Sequence, residues 1–293
     1  MTDHRFRALE ISQDGQVATI RILPLRDTLV MDDPVDVHTE MPRAIEQLRL
    51  DNSVRIVVLT GAYDGEFLVP PPNDYYTSER ATARLGDPYG IWNVSNGMLR
   101  CCQALTEIEK PVIAKLNGDA IGFGQSIALG CDLILAREDA VISDAHLGMS
   151  EVVTSGGRRV GLPFATVPGD GAGALMPLFM PPTKAKEYMM LSRSYTAAEL
   201  AQMNIVNRAV PAAELDAVTD EVIAALLKRS AFALAWTKRI MNRHVAQQAN
   251  LTLDAAVAYE ALNFSQIQHL GYDGDPRSLT EPQDAATAAK TRG

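Results

Sequence analysis

The chain is short of cysteine, of aromatic residues, of basic charge and of long apolar runs, and each shortage excludes something. Its three cysteines, Cys101, Cys102 and Cys131, are odd in number and two are adjacent, which does not suit a disulfide framework. A reduced, cytoplasmic protein is expected. The five histidines, His4, His38, His146, His244 and His269, are scattered and no Cys/His cluster has ligand spacing, so no metal is expected. Lysine and arginine total 27 against 36 aspartates and glutamates, for a net charge of −9. A nucleic-acid or membrane-surface binder would present a basic face, so neither partner is expected. No stretch approaches the roughly 18 apolar residues of a membrane span, and the opening MTDHRFRALEI lacks the apolar segment of a signal peptide.

What is present fits an ordinary globular chain, with 47% hydrophobic, 22% charged and 6% aromatic residues. Its 293 residues can bury a substantial core. After the Asp14-Gly15 turn signal, residues 16–23 are β-branched and apolar, and hairpin-like strands are expected at the start. Residues 38–49 have helical spacing, with Pro42 expected in the first turn. Val54 to Gly61 is an apolar run ended by glycine, as in a strand buried on both faces. The Pro-, Asp- and Tyr-rich stretch 68–88 predicts a loop, 91–108 a helix, and 112–116 a second buried strand ended by Asn117-Gly118. A helix at 125–131 and strands at 133–136 and 141–143 follow, so the pattern is α/β. From 184 only helices are predicted, at 184–191, 197–203, 213–228, 231–244 and 253–270. The polar tail 273–293 is expected to be flexible.

Several segments, taken in order, resemble the enoyl-CoA hydratases and isomerases of the crotonase superfamily. They are Val57-Val58-Leu59-Thr60-Gly61, Lys110 through Gly124, Cys131-Asp132, Pro168-Gly169-Asp170-Gly171, and Thr196-Ala197-Ala198-Glu199 running on to Ile205-Val206-Asn207. The resemblance implies a crotonase-type ββα spiral core over 1–195, a helical C-terminal trimerisation region over 196–272, and a homotrimer or homohexamer. It implies a small-molecule acyl-CoA substrate, with coenzyme A entering as part of the substrate and no tightly bound cofactor. It also implies two backbone N–H groups holding the thioester oxygen as it becomes an enolate. Gly122-Phe123-Gly124 lies between a strand and a helix, where the helix dipole favours developing negative charge. By the family pattern Phe123 supplies one donor, with Gly122 and Gly124 beside the substrate.

The other donor falls on a broken motif, Phe67-Leu68-Val69-Pro70-Pro71-Pro72-Asn73-Asp74. Without a gap the donor position is Pro71, which has no N–H. With two extra loop residues it is Asn73, the alignment preferred here because it keeps a working donor. The two catalytic carboxylates of ordinary hydratases are also missing, their positions corresponding to Ser126 and His146. Ser143-Asp144-Ala145-His146 and Gly169-Asp170-Gly171 instead resemble a His/Asp subset that includes β-diketone hydrolases, which cleave carbon–carbon bonds by a retro-Claisen reaction. Carried over, His146 is the base, since imidazole titrates near neutrality, and Asp170 its partner. Ser126, Asp144 and Tyr75 are substrate-binding candidates, Asp144 reading otherwise as a solvated or capping carboxylate and Glu151 more weakly still. Tyr76 and Tyr89 are candidates for the acyl pocket, and Arg26, Lys238 and Arg239 for coenzyme A. The surplus segment 150–165 is open as a lid, a pocket wall, a subunit contact or a solvated loop. Three functions remain open: an acyl-CoA enzyme, a diketone hydrolase that needs no coenzyme A, and a catalytically weak member kept for binding or assembly.

Overall fold

The computed structural model describes residues 6–29, 37–71, 73–76, 78, 79, 81, 83, 87–147, 152–162 and 165–269. The expected tail at 273–293 and Glu151 lie outside these. Strands β1 (Leu9–Asp14) and β2 (Val17–Ile22) form the antiparallel hairpin read from the turn at Gly15. Then the chain repeats one unit three times. A strand enters a six-stranded sheet, a second strand enters a four-stranded sheet, and a helix or loop returns. The units begin with β3 (Ile56–Gly61) and β4 (Gly65–Leu68), β5 (Val112–Leu116) and β6 (Gly118–Ile121), and β7 (Leu133–Arg137) and β8 (Val141–Ser143). This is the ββα spiral. Strand β3 is buried along its whole length, which is why its sequence is continuously apolar rather than alternating.

Six helices before residue 180 bear on the site. α1 (Leu25–Thr28) and α2 (Val37–Leu50) come first, and α3 is the single turn Asn73–Tyr76. α4 (Pro88–Glu107) starts where Asp87 accepts hydrogen bonds from Tyr89 N and Gly90 N and Pro88 fills the first turn. α5 (Phe123–Gly130) follows β6 directly, and α6 (Ala172–Phe179) follows Asp170-Gly171.

Several expectations are corrected. Pro42 lies inside α2, beyond its first turn. Residues after 184 are not wholly helical. α7 (Pro182–Met190) and α8 (Ala197–Gln202) are separated by β11 (Ser194–Thr196), which pairs with β8, and β12 (Arg208–Val210) pairs with β7. Beyond α9 (Leu215–Leu227), the predicted 231–244 and 253–270 are one helix, α10 (Ala231–His269). Gln, Ala and Asn at 246–250 carry no Gly or Pro to stop it. The surplus segment forms a hairpin of β9 (Val152–Val153) and β10 (Arg159–Val160). Val152 and Val160 pack with Val69, Ile121 and Ala145, so the hairpin rests on the spiral core. No helix among the described residues is long and apolar enough to cross a membrane.

Candidate active site

Strand β8 ends at Ser143, and Asp144 and His146 follow at once. The Asp144 carboxylate accepts a hydrogen bond from His146 N at 3.0 Å and stands 3.1 Å from Nδ1 through both oxygens. Asp144 is buried, not solvated. It folds the two residues into a local turn and directs the other ring nitrogen, Nε2, away from itself. Nε2 lies 3.7 Å from Asp170 Oδ2 and 3.5 Å from Glu260 Oε1. The sequence reading pairs His146 with Asp170. In the structure the carboxylate at hydrogen-bond distance is Asp144, and Asp170 faces the opposite nitrogen.

Asp170 is placed by the two glycines around it. A side chain on Gly171 would strike Cys102 Sγ at 2.6 Å, so the glycine lets the loop sink until Ser126 Oγ donates to Asp170 Oδ1 at 2.7 Å. A side chain on Gly169 would strike Ala256 O and Glu260, so that glycine admits α10. Glu260 thereby reaches a site built otherwise from the core spiral. It was not singled out from the sequence, yet a signal exists. Leu253, Val257, Glu260 and Phe264 recur at helical spacing, and the first three are buried, so a carboxyl stands in an apolar stripe. Its Oε2 is buried and has no partner among the described residues.

These groups perturb one another. Burial alone favours neutral imidazole, but the charges of Asp144 and Asp170 and hydrogen bonding to Asp144 and Glu260 hold His146 well above its ordinary pKa. Burial raises Asp170, with the His146 charge opposing and the Asp144 charge adding. Burial likewise raises Glu260, against its interaction with His146. The arrangement is a basic ring oriented from one side and faced from the other by two carboxyls that hold their protons above the usual carboxylate range.

The cluster opens on a cavity of about 130 Å³. Its walls are mostly apolar, including Leu25, Leu29, Val94, Met98, Leu162 and Phe264, and His38, Ser95, His146, Asp170 and Glu260 are its polar lining. Tyr75 and Tyr76 line it, whereas Tyr89 is 77% exposed. Phe123 lines it at the first turn of α5, where a helix leaves N–H groups without an intrahelical acceptor. Gly122 lines it but does not offer its amide, which donates to Ser143 O at 3.0 Å. Two further substrate-binding candidates sit behind the cavity. Gly124 abuts Leu68 O and serves packing, and Ser126 holds Asp170 instead of lining the cavity.

The first-donor loop follows β4. β4 runs parallel to β6, with Leu68 opposite Ala120 at the end of the pairing. Pro70 and Pro71 line the cavity, with Pro70 Cγ 3.6 Å from where a Gly122 side chain would begin. Asn73 begins α3, and its side chain lies outside the described residues. The cation candidates for coenzyme A are all paired with carboxylates: Arg26 with Glu66, buried Lys238 with Asp132 at 2.7 Å, and Arg239 with Glu109 at 3.2 Å.

The chain is 27% identical to a short-chain-enoyl-CoA hydratase of Clostridium acetobutylicum over 95% of its own length and 92% of the relative's. It is 28% identical to a carnitinyl-CoA dehydratase of Proteus mirabilis over 72% and 75%. Among solved structures, an enoyl-CoA hydratase/isomerase from Mycobacterium paratuberculosis shares the fold with a TM-score of 0.72 and 22% identity, covering 93% of this chain and 97% of that one. A β-diketone hydrolase from the cyanobacterium Anabaena, bound to (S)-3-oxocyclohexyl acetic acid, superposes with a TM-score of 0.73 and 22% identity over 89% and 95%. The enoyl-CoA hydratase/isomerase family model matches residues 34–271, and the chain belongs to that family.

Proposed function

We propose that the protein adds water to a carbonyl-activated carbon of an acyl-CoA thioester, with His146 as general base and the resulting enolate held at the Phe123 N–H. The observation that carries this reading is His146 itself, gripped at Nδ1 by Asp144 while Nε2 lies between Asp170 and Glu260 at the cavity. Nε2 takes a proton from water, and the oxygen bonds to the β-carbon of an unsaturated thioester. The π-electrons move to the thioester oxygen, where the amide at the start of α5 meets the charge. The α-carbon then takes a proton from Asp170 or Glu260, whose carboxyls burial raises above the usual carboxylate range. The paired glutamates of ordinary hydratases are thus replaced by an imidazole and a displaced acid.

A second reading is favoured by one observation, the pairing of Arg26, Lys238 and Arg239 with carboxylates, which competes with binding of the phosphates of coenzyme A. In it the same water attacks one ketone of a β-diketone. The carbon–carbon bond then breaks, its electrons form the enolate of the other ketone, and the enolate is protonated by the same acid. Turnover of crotonyl-CoA and of 1,3-cyclohexanedione in ¹⁸O-labelled water separates the two. Hydration places the label in a β-hydroxyl group, and hydrolysis places it in a new carboxylate. Absence of turnover in both leaves the binding or assembly role.

A further inference from the structure

Asp144 and His146 are held from behind by residues that never reach the cavity. Both follow the end of β8, and α7 and β11 clamp that end. Ser143 Oγ donates to Arg193 O at 3.1 Å, Ser194 Oγ donates to Ser143 Oγ at 3.0 Å, and Arg193 N donates to Tyr188 O at 2.9 Å. Tyr195 of β11 pairs with Ile142 of β8. Its ring lies nearly parallel to that of Tyr188, with centroids 5.7 Å apart and planes 11° apart.

The Tyr188 side chain is buried, and its hydroxyl has two neighbours. It donates to Gln125 Oε1 at 2.6 Å, and the backbone of Asp144 hydrogen-bonds to its oxygen. That backbone bond favours the phenolate, as a donor does, so the group is the Asp144 N–H. Burial, and after it the Asp144 charge, push the phenol well above its ordinary pKa, so the O–H persists at neutral pH. Gln125 stands two residues beyond Phe123 in α5. One hydroxyl therefore joins the helix whose first amide meets the enolate to the residue that orients the base. The Gln125 end is informative in itself. The residue is buried, and its Nε2 has no hydrogen-bond partner among the described residues. An apolar side chain there would strand no amide, so stability alone does not account for the glutamine.

We infer that Tyr188 is a positioning residue: its hydroxyl, pinned by Gln125, holds Asp144 where the carboxylate grips His146 Nδ1, and so fixes the base relative to the Phe123 amide. The inference rests on the reading of His146 as the base. It brings α7, none of whose residues line the cavity, into the working site.

Solution NMR of the full-length protein carrying ¹⁵N-labelled histidine tests this without any substrate. The His146 ring signals are assigned by their loss in His146→Ala, and their shifts give the tautomer and the pKa. In the unaltered chain the neutral ring should carry its proton on Nδ1, facing Asp144, with Nε2 toward Asp170 and Glu260. Tyr188→Phe keeps the ring, its stacking and its volume and removes only the hydroxyl. Asp144 then grips the imidazolium less well. The His146 pKa should fall by up to about one unit, the scale of one hydrogen bond, and part of the neutral ring's proton should move to Nε2. On whichever substrate the unaltered enzyme turns over, kcat should fall about tenfold, with KM little changed. Tyr188→Phe combined with Gln125→Leu removes both partners for apolar groups of similar shape, which costs little stability. In that double variant the melting temperature should recover, while the tautomer and kcat should not. If Tyr188→Phe does not fold, the double variant is read in its place. A folded variant with a lower melting temperature but unchanged tautomer, pKa and kcat makes Tyr188 merely structural and overturns the inference, leaving the base reading in place. Full turnover of His146→Ala sinks the base reading itself, whatever the ring signals show.

Discussion

The carboxylate of Asp144 holds His146 twice, once at its backbone N–H and once at ring Nδ1. Two residues just past the end of a short strand thus form one hydrogen-bonded unit, with the direction of the ring set by a neighbour in the sequence. Asp144→Asn should fold, since an amide oxygen still accepts the backbone bond. It should lose about 10²–10⁴ in kcat, because the amide neither stabilises imidazolium nor fixes the productive tautomer. Adding His146→Ala should cost little more, as residues acting as a unit are not additive. Additive losses would show that Asp144 acts elsewhere.

The pH dependence follows from the direction of the His146 shift. Its pKa is raised, so the neutral base forms only as pH climbs above the ordinary imidazole value of about 6.5. The plot of kcat/KM should rise through a midpoint above that value. A midpoint at or below 6.5 contradicts the electrostatics described. Stability should move the opposite way. A raised His pKa contributes stability that is complete below the unfolded value and is lost as pH rises through the folded one.

Glu260 tests that linkage separately. Its carboxyl is raised by burial and one oxygen has no partner among the described residues. Folded protein therefore binds a proton more tightly than unfolded, and stability falls as pH rises from the unfolded value of about 4.3 through the folded one. Glu260→Gln removes that titration. Its melting temperature should depend less on pH than that of the unaltered chain, while kcat falls about 10²-fold if Glu260 delivers the proton. A parallel pH–Tm curve would mean that Glu260 is not held protonated.

Phe123 can lose its N–H with little damage to the backbone, because proline is favoured at the first position of a helix. Phe123→Pro should fold and lose about 10²–10³ in kcat, whereas Phe123→Gly keeps the amide and loses only the ring stacked on His38. Equal activity in the two would take the amide out of the mechanism.

Much of this was legible in the sequence for physical reasons, and the rest was hidden for physical reasons. Strand β3 announces itself because burial on both faces demands an unbroken apolar run. Helix α5 is marked by the glycines at its start. His146 stands at the position of a missing carboxylate, so the family pattern exposes it. Asp144 was underrated because a carboxylate two residues before a histidine reads equally well as a local turn, and only burial decides. His38 and Glu260 come from helices at opposite ends of the chain, and no local period reports that two distant helices meet at one cavity. The prolines at 70–71 leave the first-donor position open in the sequence, and the pairing of β4 with β6 ends before them, at Leu68.

The most direct test of the whole account is the turnover of His146→Ala, with its melting temperature measured on the same preparation and with crotonyl-CoA and 1,3-cyclohexanedione as substrates. A general base of this kind contributes about 10²–10⁴-fold, so kcat should fall by that factor on whichever substrate the unaltered enzyme turns over, with the fold retained. A variant that melts at a lower temperature yet turns over at the full rate would show His146 to be a structural residue, and the account would be wrong at its centre.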